Sequence, residues 1–201
     1  YIPANEARHE EVSYYEFNHP AEIHDLVPHS HYRGVASKFE IVHPDGRKET
    51  ILSVPNYDFN WQRTYEFVEP KRVEAGARLV HTTWYDNSAN NPGNPDPNRN
   101  VPWGQQSWDE MLYGAFSYTY VNETTEAPLH DKALADTTQM VGFMDKNFDG
   151  KLTWEELSGR WRKRLASNFK RADANGDGGL SIKEMHRLQQ MRERQGATGA
   201  L

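Results

Sequence analysis

At 201 residues the chain can hold one large domain or two small ones, and its formal charge of −6 lacks the basic excess with which nucleic-acid binders hold phosphate. No apolar run approaches the ~20 residues of a helical membrane span, and the absence of cysteine excludes any disulfide framework. The chain begins at Tyr1 with neither an initiator methionine nor a signal-peptide pattern, as expected of a processed chain or of a piece of something longer.

In chain order, Ile2-Pro3-Ala4-Asn5-Glu6 reads as a turn, and residues 12–17 are the first run of strand formers. Strands are expected over 24–31 and 38–42. Asp45-Gly46 then carries a hairpin signal, and residues 48–54 return as a strand. Residues 63–67 and 77–84 continue the pattern. The stretch 86–102, with four prolines and many asparagines, is a long loop, either plainly solvated or a rim facing a substrate. Strand composition returns after Trp103 and closes at 116–121, a strand expected to carry Met111 at its start. Short strands punctuated by Gly, Pro and Asn predict an all-β antiparallel sandwich, jelly-roll-like, over residues 1–122. Trp61, Trp84, Trp103 and Trp108 are expected to pack it, unless one lines a pocket.

Residues 123–131 form a polar linker containing Pro128. Beyond it the apolar period changes from two to about 3.6, which predicts a small all-α domain over 132–194. Its helices are expected at 132–144, 154–171 and 182–194, and 195–201 is a tail. Two acidic stretches interrupt these helices. In the first, Asp145, Asn147 and Asp149 supply oxygens at the first, third and fifth places of an EF-hand loop, and Gly150 allows the turn. Lys151 offers its carbonyl, Thr153 the ninth place and Glu156 the bidentate twelfth. Asp173, Asn175, Asp177, Gly179, Ser181 and Glu184 repeat the set, so two calcium ions are expected. Leu152 and Ile182 are expected to join the loops through a short two-stranded contact. Met140, Phe143, Met144, Trp161, Leu165, Phe169, Met185 and Leu188 would pack this small core or meet a partner.

Within the β part, His29-Ser30-His31 places two imidazoles on one face of a strand. If Met111 comes opposite, two nitrogens and a soft thioether would suit copper, Cu(I) in particular, with a coordination position left open. The alternative is a polar strand face and a core methionine. Asp109 and Glu110 either orient a ligand ring or lie at the surface. His24 and His81 either approach the site or are satisfied where they stand.

The segments Pro28 to Gly34, Val54 to Gln62, Tyr85 to Pro92 and Trp103 to Met111 occur in that order. Residues 1–121 thereby resemble the C-terminal domain of the copper type II, ascorbate-dependent monooxygenases, the family of peptidylglycine alpha-hydroxylating and dopamine beta-monooxygenases. The resemblance implies that His29, His31 and Met111 hold a copper that activates dioxygen to hydroxylate a C–H bond of a small-molecule substrate. It also implies a second copper domain bearing three histidines, for which this chain has no room. That domain, or another electron donor, is expected on a missing N-terminal part or on another chain. Val27 stands where amidating members carry an arginine for a substrate carboxylate, and Ala115 replaces a tyrosine, so a peptide C-terminus is not the expected substrate. Neither nucleic acid nor a membrane span is expected. Exposed copper and calcium sites point to the periplasm or a secreted location. A second function stays open: a non-catalytic copper- and calcium-binding structural or docking module of a larger assembly.

Overall fold

The structure, a computed structural model, describes residues 1–198 and divides into two compact units, Tyr1–Leu129 and one beginning at His130. The first unit carries β1 (His9–Glu16), β2 (Ala21–His29), β3 (Gly34–Val42), β4 (Lys48–Val54), β5 (Tyr65–Val73), β6 (Arg78–Tyr85) and β7 (Tyr113–Tyr120). They form a four-stranded sheet ordered β1-β6-β3-β4 and a three-stranded sheet ordered β5-β2-β7, and every pairing is antiparallel. One apolar cluster draws Ile23 and Leu26 from β2, Phe39 and Ile41 from β3, Val73 from β5 and Leu79 from β6. Both sheets therefore bury their alternating apolar side chains in the same core.

β2 changes face part-way along. Opposite β7, Ile23 pairs with Tyr118 and Asp25 with Ser117, so His24 is an extra residue in the ladder, a β-bulge. Ala21 and Ile23 are buried before it, Leu26 and Pro28 after it. The inward set passes from odd to even numbers, and Val27 and His29 fall on the opposite face of the strand from the core. β2 ends at His29, so His31 does not ride on the strand as the sequence suggested; it lies in the buried turn that leads to β3. Met111 likewise precedes β7 by two residues instead of starting it.

The loop 86–102 is folded, not merely solvated. Asn87 is fully buried, donating to the carbonyls of Pro3 and Arg99 at 2.8 and 2.9 Å, and Val101 exchanges backbone hydrogen bonds with Ile2. Three of the four tryptophans expected to pack the core are instead exposed: Trp61, Trp103 and Trp108. Trp84 is half-buried, its indole N–H on Glu10 and its ring beneath Arg8 and Lys38.

In the second unit, α1 (Lys132–Met144) begins on Asp131, whose side chain accepts the Leu134 N–H. β8 (Lys151–Thr153) pairs with β9 (Gly179–Ser181), and α4 runs from Ile182 to Thr198. The helix expected over 154–171 is broken into α2 (Gly159–Leu165) and α3 (Phe169–Ala172). Gly159 has φ +51°, a left-handed conformation that forbids an unbroken right-handed helix through that point. Met144, Leu165, Met185 and Leu188 are buried in one cluster with Leu152, Leu157 and Leu180, and Met140, Trp161 and Phe169 pack against it. Phe143, expected among them, is exposed.

Candidate metal centres

The two calcium loops are built by their own backbones. At the sixth places Gly150 and Gly178 have φ near +88°, and at the fourth places Phe148 and Gly176 are left-handed as well. Each closing glutamate reaches back across its loop. Glu156 accepts the N–H of Lys146 at 3.0 Å through one oxygen and the N–H and hydroxyl of Thr153 through the other. Glu184 does the same with Ala174 and Ser181. Burial raises the carboxyl pKa of both, but the hydrogen bonds from Thr153 and Ser181 and the loop amides outweigh it and hold them below the usual range. Ser181 and Glu184 also act as a capping box for α4, since the Glu184 N–H returns to the Ser181 hydroxyl at 3.3 Å.

The β8–β9 register places Leu152 against Leu180; Ile182, which the sequence reading put in that role, instead opens α4. A cross-loop ion pair, Lys151 to Asp177 at 3.2 Å, adds a second link. Among the described residues no three or more His, Asp or Glu side chains converge as a ready-made metal cage. The loop carboxylates are instead turned onto loop N–H groups, as in the Gly150 N–H to Asp145 bond of 2.8 Å. Calcium would be taken up by exchanging these donors for the ion.

In the first unit the structure brings His29 and His31 together. Their ring centroids are 5.2 Å apart and nearly perpendicular. His29 Nδ1 is held by Gln62 Oε1, and Gln62 is itself fixed by donation to the Phe59 carbonyl at 2.8 Å. His31 Nδ1 lies 3.2 Å from the Asp109 carbonyl. With Nδ1–H donating in both rings, each Nε2 keeps its lone pair, the protonation state that a metal requires. Burial lowers the His31 pKa and favours that neutral form. Tyr113 packs edge-on against His29, and Phe59 against His31.

Met111 sits on the adjoining chain. The β2–β7 register ends with His29 against Tyr113, and Met111 lies two residues before that pair, following Asp109 and Glu110, which bond His31. The donors brought together are two imidazoles prepared at Nδ1, and the Met111 thioether is carried by the segment that bonds His31. Asp109 serves His31 through its backbone carbonyl, while its carboxylate pairs with Arg99 at 2.6 Å. Glu110 is no surface group: it is buried, and burial pushes its pKa up to about 7 against the opposing pull of backbone donors and Arg33. Gln62 and Tyr57, the latter bonded to both backbone groups of Ser30, lie in the segment Val54 to Gln62 that carries part of the resemblance but were given no individual role there. Their contacts follow from the folded path of that segment, which brings Tyr57 to Ser30 and Gln62 to His29.

His24 and His81 take separate places. His24 bonds the Thr119 hydroxyl at 3.0 Å. His81 is buried between the sheets, stacked on Phe39 at 4.3 Å, with Nε2 on Ser37.

A protein-family model described as EF hand matches residues 142–159 and 166–189, segments that contain both loops. A search of the curated proteins finds no match to the chain. The helical unit therefore carries an EF-hand pair, and that likeness supports calcium binding by the protein.

Proposed function

We propose that this chain is a copper-dependent monooxygenase-type domain with a calcium-binding EF-hand appendage. The two-sheet unit sharing one core is read as a jelly-roll-like sandwich that displays the copper site on the outer face of β2. The observation carrying the reading is the matched preparation of His29 and His31: a side-chain amide holds Nδ1 of one and a backbone carbonyl Nδ1 of the other, leaving both Nε2 atoms as donors. Copper held by His29, His31 and Met111 would supply an open coordination position for dioxygen and an electron toward it.

The residues of this chain do the rest. Gln62 and the Asp109 carbonyl fix tautomer and ring orientation. Val27, on the same strand face as His29, leaves that approach without a charge and disfavours a carboxylate-bearing substrate. The second electron would come from a further copper domain or a separate donor, and the setting is the periplasm or outside the cell.

A second reading is a non-catalytic copper- and calcium-binding module. It is favoured by the lack of a second histidine cluster among the described residues. Metal content per chain, measured on the wild type, His31→Ala and Met111→Ala, tests the first reading. One copper lost in either variant, with two calcium ions kept in both, is expected; a wild type that takes up no copper overturns it. Dioxygen consumption by the reduced, copper-loaded protein then separates an oxygenase from a module.

A further inference from the structure

We propose that Arg33 and Glu110, with Asn87 behind them, are the positioning residues of the copper ligands, an inference that rests on the copper reading above. Glu110 Oε2 accepts the His31 N–H at 2.8 Å, and Oε1 accepts the Arg33 N–H at 2.6 Å. One buried carboxylate thereby sets the backbone on both sides of Tyr32, and with it the axis from which the His31 ring projects. The same stretch serves three purposes in successive residues. Asp109 gives its carbonyl to the His31 ring, Glu110 its carboxylate to the His31 backbone, and Met111 is the thioether ligand of the copper reading. The Met111 carbonyl is in turn held by the hydroxyl of Tyr85 at 2.8 Å.

Arg33 closes the circuit. Its side chain is wholly buried, donating Nε to Asn87 at 2.7 Å and Nη1 to the Trp108 carbonyl at 2.9 Å. Nη2 points to the Asp96 carbonyl at 3.4 Å. The backbone of Arg33 is thus held by Glu110 while its side chain holds the chain two residues before Glu110. This staple fastens the segment bearing the histidines to the segment bearing the methionine. Asn87, which also accepts from Asn94 at 3.1 Å, ties the loop 86–102 into the same node.

What Arg33 and Glu110 supply is direction, because the Glu110 carboxylate is spent on the backbone of the histidine segment and the Arg33 guanidinium on the backbone before Glu110 and on Asn87. Supporting groups of this kind typically change metal affinity by about 10–100-fold, and a site loses function when its support is left loose.

The test compares Glu110→Gln and Arg33→Lys with Ile41→Val, a core substitution outside the site. Gln cannot accept both amides through equivalent charged oxygens, and Lys keeps the charge but loses the guanidinium fork. In metal-free protein, imidazole nitrogen shifts report whether His31 holds a single Nδ1–H tautomer. The wild type and Ile41→Val are expected to hold it, and Glu110→Gln to show a mixture. In Cu(I) competition with a chelator, both site variants are expected to bind about 10–100-fold more weakly, with Ile41→Val unchanged despite its lower melting temperature. If Glu110→Gln does not fold, Arg33→Lys carries the comparison. Unchanged tautomer and affinity in the site variants, with copper bound by the wild type, overturn this proposal alone. A wild type that takes up no copper overturns it together with the copper reading.

Discussion

Leu152 and Leu180 face one another across the β8–β9 ladder, both fully buried, so the two calcium loops share an apolar seam. Through this seam, calcium binding in one loop is expected to be felt in its neighbour.

Leu152→Ala should therefore act twice. Removing the buried side chain is expected to cost about 2–5 kcal/mol of stability in the helical unit, read by chemical denaturation in excess chelator. Calcium titration should then show both sites weakened. Loss confined to the loop that carries the substitution would show the seam to be passive.

The two closing glutamates are expected to differ in the calcium-free protein. Glu156→Ala and Glu184→Ala should each remove one of the two ions. Only Glu184, however, caps a helix that starts immediately after β9, whereas the helix after Glu156 begins at Gly159. Glu184→Ala should lower stability in chelator by roughly 1 kcal/mol more than Glu156→Ala; equal losses would contradict the capping role.

His81 gives the β unit a pH dependence. Burial pushes its pKa down to about 3, so the folded state holds the ring neutral while the unfolded chain takes up a proton below about 6.5. Between those values the unfolded state binds more protons and stability falls as the pH falls, by up to roughly 1.4 kcal/mol per pH unit. Denaturant midpoints of wild type and His81→Gln from pH 7 to pH 4 should converge as the pH drops; parallel curves would refute the assignment.

Gly114 packs against the same ring. A β-carbon there would lie 2.5 Å from His81 Nδ1 and 2.9 Å from Phe39, both on the crowded inner face. Gly114→Ala is expected to cost about 1–3 kcal/mol by overpacking, and Phe39→Leu in the same chain should recover part of it. A neutral Gly114→Ala would mean that the sheets separate there at no cost.

Much of this was legible in the residues because it is local. Loop chemistry is written at fixed intervals, so Asp145 to Glu156 and Asp173 to Glu184 could be assigned place by place, and strand composition located most of the ladder. Features that depend on distant partners were not legible. Nothing local to β2 says that His24 is an extra residue, since the bulge exists only against β7. Nothing in the polar loop 86–102 says that it wraps a buried guanidinium. The exposure of Trp61, Trp103 and Trp108 likewise contradicts their composition, and the break at Gly159 follows from a backbone angle that glycine permits but does not announce. Ile182 is a miscount, since with Asp173 at the first place the eighth is Leu180, the counterpart of Leu152, and the register agrees.

The bulge at His24 makes β2 behave like a text with two reading frames. Upstream of it one set of alternate residues is spoken to the core; downstream the other set is. Deleting His24 would leave a regular ladder, Ile23, Asp25, Leu26 in succession against Tyr118, Ser117, Phe116, in which Leu26 and Pro28 still face the core and Val27 and His29 still face away from it. Deletion of His24 should thus leave the core facing as it does now, just as substitution there should, because the extra residue changes the numbering of the inward positions and not the faces they occupy.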